Sequence, residues 1–250
     1  MKLTLRVWRQ PEADAPGGFL RYTLDDLDPG MTLLEALDRL NERLAAAGEP
    51  PVAFDSDCRE GICGACGIVV DGRPHGPVPG ITSCLLPLRA FRDGATVVLE
   101  PFRTGTFPVI RDLMVDRRAL DRVMQAGGYV TVRAGSAPDA NALPIARDAV
   151  EGALDASTCI GCGACVAACP NGSASLFTGA KLRHLGLLPQ GQPERSRRAE
   201  ALVAASDEEG FGGCSLHGEC VAACPKGIGL GVITRMNRDY LRAVLTSCVT

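Results

Sequence analysis

Residues 159–170 read CIGCGACVAACP, and residues 214–225 read CSLHGECVAACP. The runs share their length and their VAACP tail. Every cysteine of one has a counterpart in the other except Cys162, which meets His217. Short, regular spacing of this kind gathers thiolates around one point, so the pair raises the question of what is held there and why one corner differs. Metal is favoured over disulfides. The start, MKLTLRVWRQPEAD, lacks the apolar run of a secretory signal, and an unexported chain keeps its thiols reduced. Eleven of the twelve cysteines fall into three groups, which scattered structural cysteines would not do.

The pattern C-x2-C-x2-C-x3-C-P is that of two-cluster bacterial ferredoxins, in which the fourth cysteine of a run ligates the other cluster. Three thiolates on a tight loop cover neighbouring corners of a cube, and a fourth carried off on the following helix reaches the second cube. On this logic Cys159, Cys162, Cys165 and Cys224 hold a 4Fe-4S cluster, while Cys169, Cys214 and Cys220 hold its neighbour. Three thiolates suit a cuboid lacking one iron, a 3Fe-4S cluster. His217 stands at the missing corner, either as an imidazole ligand to a fourth iron or turned away from a three-iron cluster; the second is preferred.

Residues 55–67, DSDCREGICGACG, add Cys58-x4-Cys63-x2-Cys66, the plant-type 2Fe-2S spacing, with Cys84 the remaining candidate for a fourth ligand. Gly61, Gly64 and Gly67 give the loop backbone freedom where a side chain would obstruct the cluster. His75, in DGRPHGPVPGITS, reads as a solvated loop residue, with a role as stand-in ligand the lesser alternative. A four-cysteine structural zinc site competes for the first group, and a zinc-stabilised interaction module is the matching functional alternative. Cys248 has no partner in these patterns.

Composition narrows the classes further. Apolar residues make up 46% and charged residues 22%, as in soluble globular proteins, and 250 residues suffice for two domains. The net charge of -3 and pI near 5.7 provide no basic field for nucleic acid. No stretch is long and apolar enough to span a membrane, so the chain is expected to be soluble. No H-E-x-x-H, G-x-S-x-G or P-loop is present, and GIGLG at 227–231 reads as a helix start.

Periodicity divides the chain. KLTLRVW (2–8) and FLRYTL (19–24) alternate as a β-hairpin, and Thr32-Leu-Leu-Glu35 opens an amphipathic helix ending near Gly48. The cysteine loop, GIVVDG and ATVVLEP complete an α+β unit of about 100 residues. Beyond Pro101, helical spacing is expected over 110–126, 143–154, 176–187, 194–206 and 229–245, with a connecting arm near 127–144. Arg195-Ser-Arg-Arg198 reads as a solvated helix face.

The plant-type loop, FPVIRDLMVD at 107–116, CIGCGACVAACP and C-x5-C-x3-CPK at 214–226 together resemble the iron-sulfur subunit of succinate dehydrogenase and fumarate reductase. The resemblance implies an α+β chain: a β-grasp 2Fe-2S ferredoxin-like domain (1–105), then an all-α domain of the two-cluster ferredoxin type (106–250, with 106–142 as linker or arm). It implies that Cys58, Cys63, Cys66 and Cys84 hold the cluster nearest the flavin of an FAD-bearing flavoprotein subunit. The 4Fe-4S cluster would be central and the 3Fe-4S cluster nearest quinone, at a membrane-anchor cytochrome b subunit with haem b. Electrons from succinate would pass along that row to quinone, and succinate oxidation itself would occur on the flavoprotein. No substrate-converting residue is therefore expected on this chain. The implied location is the cytoplasmic face of the bacterial inner membrane, held peripherally through the anchor.

Two positions depart from the ubiquinone-linked members of that family. Where those have a tryptophan and a histidine, this chain has Ala174 and Ser215, and NGSASLFTGAKLRHLGLLPQG (171–191) is closer to the menaquinone-linked forms. Menaquinone is thus the expected quinone, with a subunit working in the fumarate reductase direction, or beside another flavoprotein, as the alternative.

Overall fold

A computed structural model describes residues 1–131 and 145–247. The first unit is a five-stranded sheet ordered β2-β1-β5-β3-β4, built from β1 (Leu3–Arg9), β2 (Gly18–Leu24), β3 (Ile68–Val70), β4 (Arg73–Pro74) and β5 (Thr96–Pro101). β1 pairs antiparallel with β2 and parallel with β5, so a connection must cross the sheet between them. That crossing carries α1 (Leu33–Ala46) and the cysteine loop. Alternation along β1 buries Leu3, Leu5 and Val7 completely against Leu33, Leu34, Leu37, Leu40 and Leu44 of α1. The expected capping box is present: Glu35 N–H donates to Thr32 Oγ1 at 3.3 Å, and Thr32 N–H donates to Glu35 Oε2 at 2.6 Å.

The second unit is helical: α2 (Arg118–Gly127), α3 (Arg147–Ser157), α4 (Ala164–Ala168), α5 (Ser175–Leu187), α6 (Arg195–Glu208), α7 (Glu219–Ala222) and α8 (Gly231–Ser247). α5 lies at the centre, packed on α3, α6 and α8, which is why Leu176, Phe177, Ala180, Leu182 and Leu185 are all buried. A Cβ on Gly179 would come within 2.8 Å of Val232 O, so this glycine sets the close approach of α5 and α8. Among the described residues no helix is long and apolar enough to cross a membrane. Most of the expected arm at 127–144, and Cys248, lie outside the described residues.

Three expectations need correction. The helix expected over 110–126 begins only at Arg118; before it stands a small hairpin of β6 (Val109–Arg111) and β7 (Met114–Val115). Its turn residue Asp112 has φ 47° and is 1% exposed. The Asp112 carboxylate accepts from the N–H groups of Gln10 and Ala53, both at 2.9 Å, and pairs with Arg9 at 3.1 Å. Tertiary hydrogen bonds to the first unit thus override the helical spacing.

Arg198 is not on a solvated face. It is 3% exposed and donates to the carbonyls of Gly127, Tyr129 and Gly191, and it pairs with Glu194 at 3.0 Å. Orphan carbonyls at the α2 terminus and before α6 need a donor, and a guanidinium can serve several at once.

His75 is likewise not solvated: it is 1% exposed, its ring edge-on to Phe102. Nδ1 accepts from Ser83 N–H at 3.2 Å and lies 3.0 Å from Ser83 Oγ, so the imidazole fastens the Pro/Gly-rich segment beneath the residue preceding Cys84. Burial, with the Arg117 charge adding to it, pulls its pKa down to about 4 from 6.5. The folded state therefore binds fewer protons here than the unfolded chain. The stabilisation is complete above pH 6.5 and is lost as pH falls towards 4. His75→Gln should remove about 2 kcal/mol of the stability loss between pH 7 and pH 5, measured by denaturant unfolding at each pH. An unchanged pH slope would contradict a buried neutral imidazole.

Candidate iron-sulfur sites

The first cysteine loop is shaped by backbone that only glycine accepts readily. Gly61 (φ 72°) and Gly64 (φ 77°) are left-handed, and a Cβ at Gly64 would fall 2.4 Å from Ile160 O. The loop turns its N–H groups on its own sulfurs: Glu60 and Ile62 donate to Cys58 Sγ at 3.3 and 3.5 Å, and Ala65 donates to Cys63 Sγ at 3.4 Å. Thr82 Oγ1 lies 3.0 Å from Cys84 Sγ. Such contacts stabilise thiolate charge, and the Glu60 and Ile62 N–H groups bring Cys58 down to about 7. Burial, compounded by Cys84, pushes Cys66 up to about 12. The set thus has an exposed rim at Cys63 and a buried floor at Cys66 and Cys84, with Ile62 and Leu85 exposed beside it.

The paired runs fold as near copies. Each passes through a left-handed glycine, Gly163 (φ 83°) or Gly218 (φ 86°), into one short helix, α4 or α7, and these helices pack together. Each Cys-Pro then stops its helix, because proline disfavours α backbone in the residue before it. Cys169 accordingly turns to extended backbone (ψ 125°) and leaves its own loop. One cavity is lined by Cys159, Cys162, Cys165 and Cys224 together with Phe177 and Ile228. A second is lined by Cys169, Cys214, Cys220 and His217. Leu176 walls both. His217 lines the second space from an exposed position on its rim, after Leu216 in left-handed backbone (φ 56°).

Electrostatics fit thiols that hold a metal. Burial pushes Cys162 up to about 12 and Cys165 well beyond the usual thiol range. Burial also raises Cys159 against the opposing charge of Lys181, and raises Cys220 with help from Cys169 and Cys214. Such thiols stay protonated at neutral pH unless a cation displaces the proton, as iron does. Among the described residues no three Cys, His, Asp or Glu side chains are placed to hold a single metal ion. A tetrahedral zinc site needs four donors on one centre, whereas a cube takes one thiolate per iron.

Sequence reading missed Arg117, which donates to Gly64 O, to Cys162 O at 3.0 Å and to Ala65 O at 3.4 Å, and Lys181, whose Nζ donates to Cys159 O at 3.0 Å. Nothing in VDRRAL separates Arg117 from Arg118, which instead pairs with Asp116 on the surface.

Residues 4–122 match the family model of the 2Fe-2S iron-sulfur cluster binding domain, and residues 155–228 match that of the 4Fe-4S dicluster domain. The succinate dehydrogenase iron-sulfur subunit of Bacillus subtilis is 34% identical over 226 residues, covering 84% of this chain and 82% of that one. The chain belongs to the iron-sulfur subunits of succinate dehydrogenase and fumarate reductase. The subunit is also 28% identical to the fumarate reductase iron-sulfur subunit of Wolinella succinogenes, over 98% of both chains. A chain of the Mycobacterium smegmatis Sdh1 complex in the apo form shares its fold, with a TM-score of 0.69 and 23% identity over 95% of this chain and 94% of that one. As a member of this family, the subunit is an electron-transfer component of an oxidoreductase complex.

Proposed function

We propose that the subunit works in a succinate:quinone oxidoreductase, between the FAD of a flavoprotein subunit and menaquinone at a cytochrome b anchor carrying haem b. It divides into a 2Fe-2S domain (1–105) and a helical domain (106–250). Cys58, Cys63, Cys66 and Cys84 hold a 2Fe-2S cluster; Cys159, Cys162, Cys165 and Cys224 hold a 4Fe-4S cluster; Cys169, Cys214 and Cys220 hold a 3Fe-4S cluster, with His217 beside it and not ligating. The complex lies at the cytoplasmic face of the bacterial inner membrane. The observation that carries this reading is the gathering of cysteines from two distant runs on two adjoining cavities, each run contributing to both.

Bound clusters supply one-electron storage at potentials set by charge, hydrogen bonds to sulfur and solvent access. The chain's own residues provide those settings: N–H groups on Cys58 and Cys63, the Lys181 ammonium over the Phe177 ring, and apolar walls that exclude water. Ala174 is 1% exposed, so a tryptophan has no room there, and Ser215 is held by Asn171 Nδ2 at 2.8 Å. Ala174 and Ser215 stand where the ubiquinone-linked members have tryptophan and histidine, and that departure supports the menaquinone reading.

Purification of the complex from native membranes tests the whole assignment. The oxidised enzyme should show the EPR signal of a 3Fe-4S centre, with succinate-driven reduction of menaquinone analogues. A diamagnetic third cluster in the oxidised state would overturn the three-iron reading. Efficient reduction of ubiquinone analogues with none of menaquinone analogues would overturn the quinone. The fumarate reductase direction is the second reading, favoured by the names of the relatives from Wolinella succinogenes and Mycobacterium tuberculosis; the ratio of the two rates in the purified complex decides it.

A further inference from the structure

Arg117 lies where the two units meet, and its guanidinium faces both. Nη1 donates to Gly64 O and to Cys162 O, and Nη2 to Ala65 O. The Gly64 carbonyl and the Ala65 N–H belong to one peptide group, and that N–H donates to Cys63 Sγ. A hydrogen-bonded route therefore runs from the Cys63 sulfur, through one peptide and one guanidinium, to the backbone of Cys162. Charge at one end of such a chain polarises the whole of it. Gly64 makes the contact possible, since its missing Cβ would collide with Ile160 O and lie 3.1 Å from Cys162 N. The Arg117 stem packs beside Gly163, so the fork is held between the loops.

We propose that Arg117 is the positioning residue between the first and second clusters: it fixes the separation of their binding loops and raises both potentials with one positive charge. This rests on the ligand sets proposed above. The physical reason is that reduction adds a negative charge to either cluster, and a nearby fixed cation stabilises the reduced form of each. Only arginine can do both, because its planar fork reaches three carbonyls on two loops while an ammonium is a point charge.

The test uses the purified complex, with iron and sulfide analysis, EPR-monitored redox titration, and the spin–spin interaction between the reduced first and second clusters. Arg117→Gln should lower the reduced-to-oxidised ratio of both clusters about tenfold at fixed ambient potential, about 59 mV for a one-electron couple, and weaken the interaction. Arg117→Lys should keep the ratios and still weaken the interaction. Lys181→Met, which removes a charge that donates to the Cys159 carbonyl in the second unit, should lower the ratio of the second cluster alone. A fully loaded Arg117→Gln complex with unchanged ratios and interaction would overturn the proposal. Should that variant fail to assemble, Arg117→Lys and Gly64→Ala decide the matter: the added Cβ forces the loops apart with the charge intact, and an unchanged interaction in both overturns it. Wild-type complex without a 2Fe-2S signal would instead overturn the ligand sets beneath the proposal.

Discussion

Cys224→Ser should remove the cluster of the other run. The 4Fe-4S signal of the reduced enzyme should disappear while the 3Fe-4S signal of the oxidised enzyme persists, and iron should fall from about nine per chain towards about five. Cys169→Ser should do the reverse, removing the 3Fe-4S signal, sparing the 4Fe-4S signal and leaving about six iron atoms. The two cysteines occupy equivalent places in near-identical sequences, so only the exchange of fourth ligands predicts these crossed outcomes. The proposed exchange rests on the short helices. α4 and α7 each carry the terminal cysteine away from its own loop, rising about 1.5 Å per residue, and the proline behind each one stops the helix there. Cys224 consequently faces the cavity of Cys159, Cys162 and Cys165, and Cys169 that of Cys214 and Cys220. Loss of each run's own cluster in these two variants would refute the exchange.

Phe107→Ala should be the most damaging single change away from the cysteines. Phe107 is fully buried, edge-on to Phe211 with centroids 6.1 Å apart. A Cβ added to Gly163 would come within 2.9 Å of its ring, so the phenyl group forms the floor of the turn that positions Cys162 and Cys165. Truncation removes buried area and leaves a cavity whose wall is a turn with no side chain to move in. The expected cost is about 3–5 kcal/mol, and the thermal midpoint should fall on the order of 10 °C. Bleaching of the cluster absorbance should follow the same lowered midpoint, because the ligand loop and the core share this ring. Phe107→Leu should cost less than about 1.5 kcal/mol. A Phe107→Ala midpoint within a degree of wild type would show that this ring does not support the turn.

The strongest sequence signals were those whose physics is local. The capping box at Thr32, the apolar stripe of α1 and the alternation in β1 depend on neighbours within a few residues, and each reappears in the fold. The gathering of the two runs' cysteines on adjoining cavities was legible for a related reason: a tight loop can present thiolates only at certain spacings, so spacing constrains geometry. Legibility failed where long-range contacts decide. The hairpin at 109–115 has helical spacing, yet Asp112 is captured by Gln10, Ala53 and Arg9 from the other unit. Arg198 looks like any surface cation in sequence, and its burial depends on carbonyls from Gly127, Tyr129 and Gly191.

By itself, then, the sequence determined the two-unit organisation and the grouping of eleven cysteines into three closely spaced sets, because local spacing and periodicity depend on neighbours within a few residues. The tertiary structure alone decided how the units meet. Arg117 between Gly64 and Cys162, His75 beneath Ser83 and Phe107 under Gly163 are contacts between residues far apart along the chain. No local propensity encodes such contacts. They arise when two cores pack and a few side chains must satisfy the polar groups and spaces left at the junction.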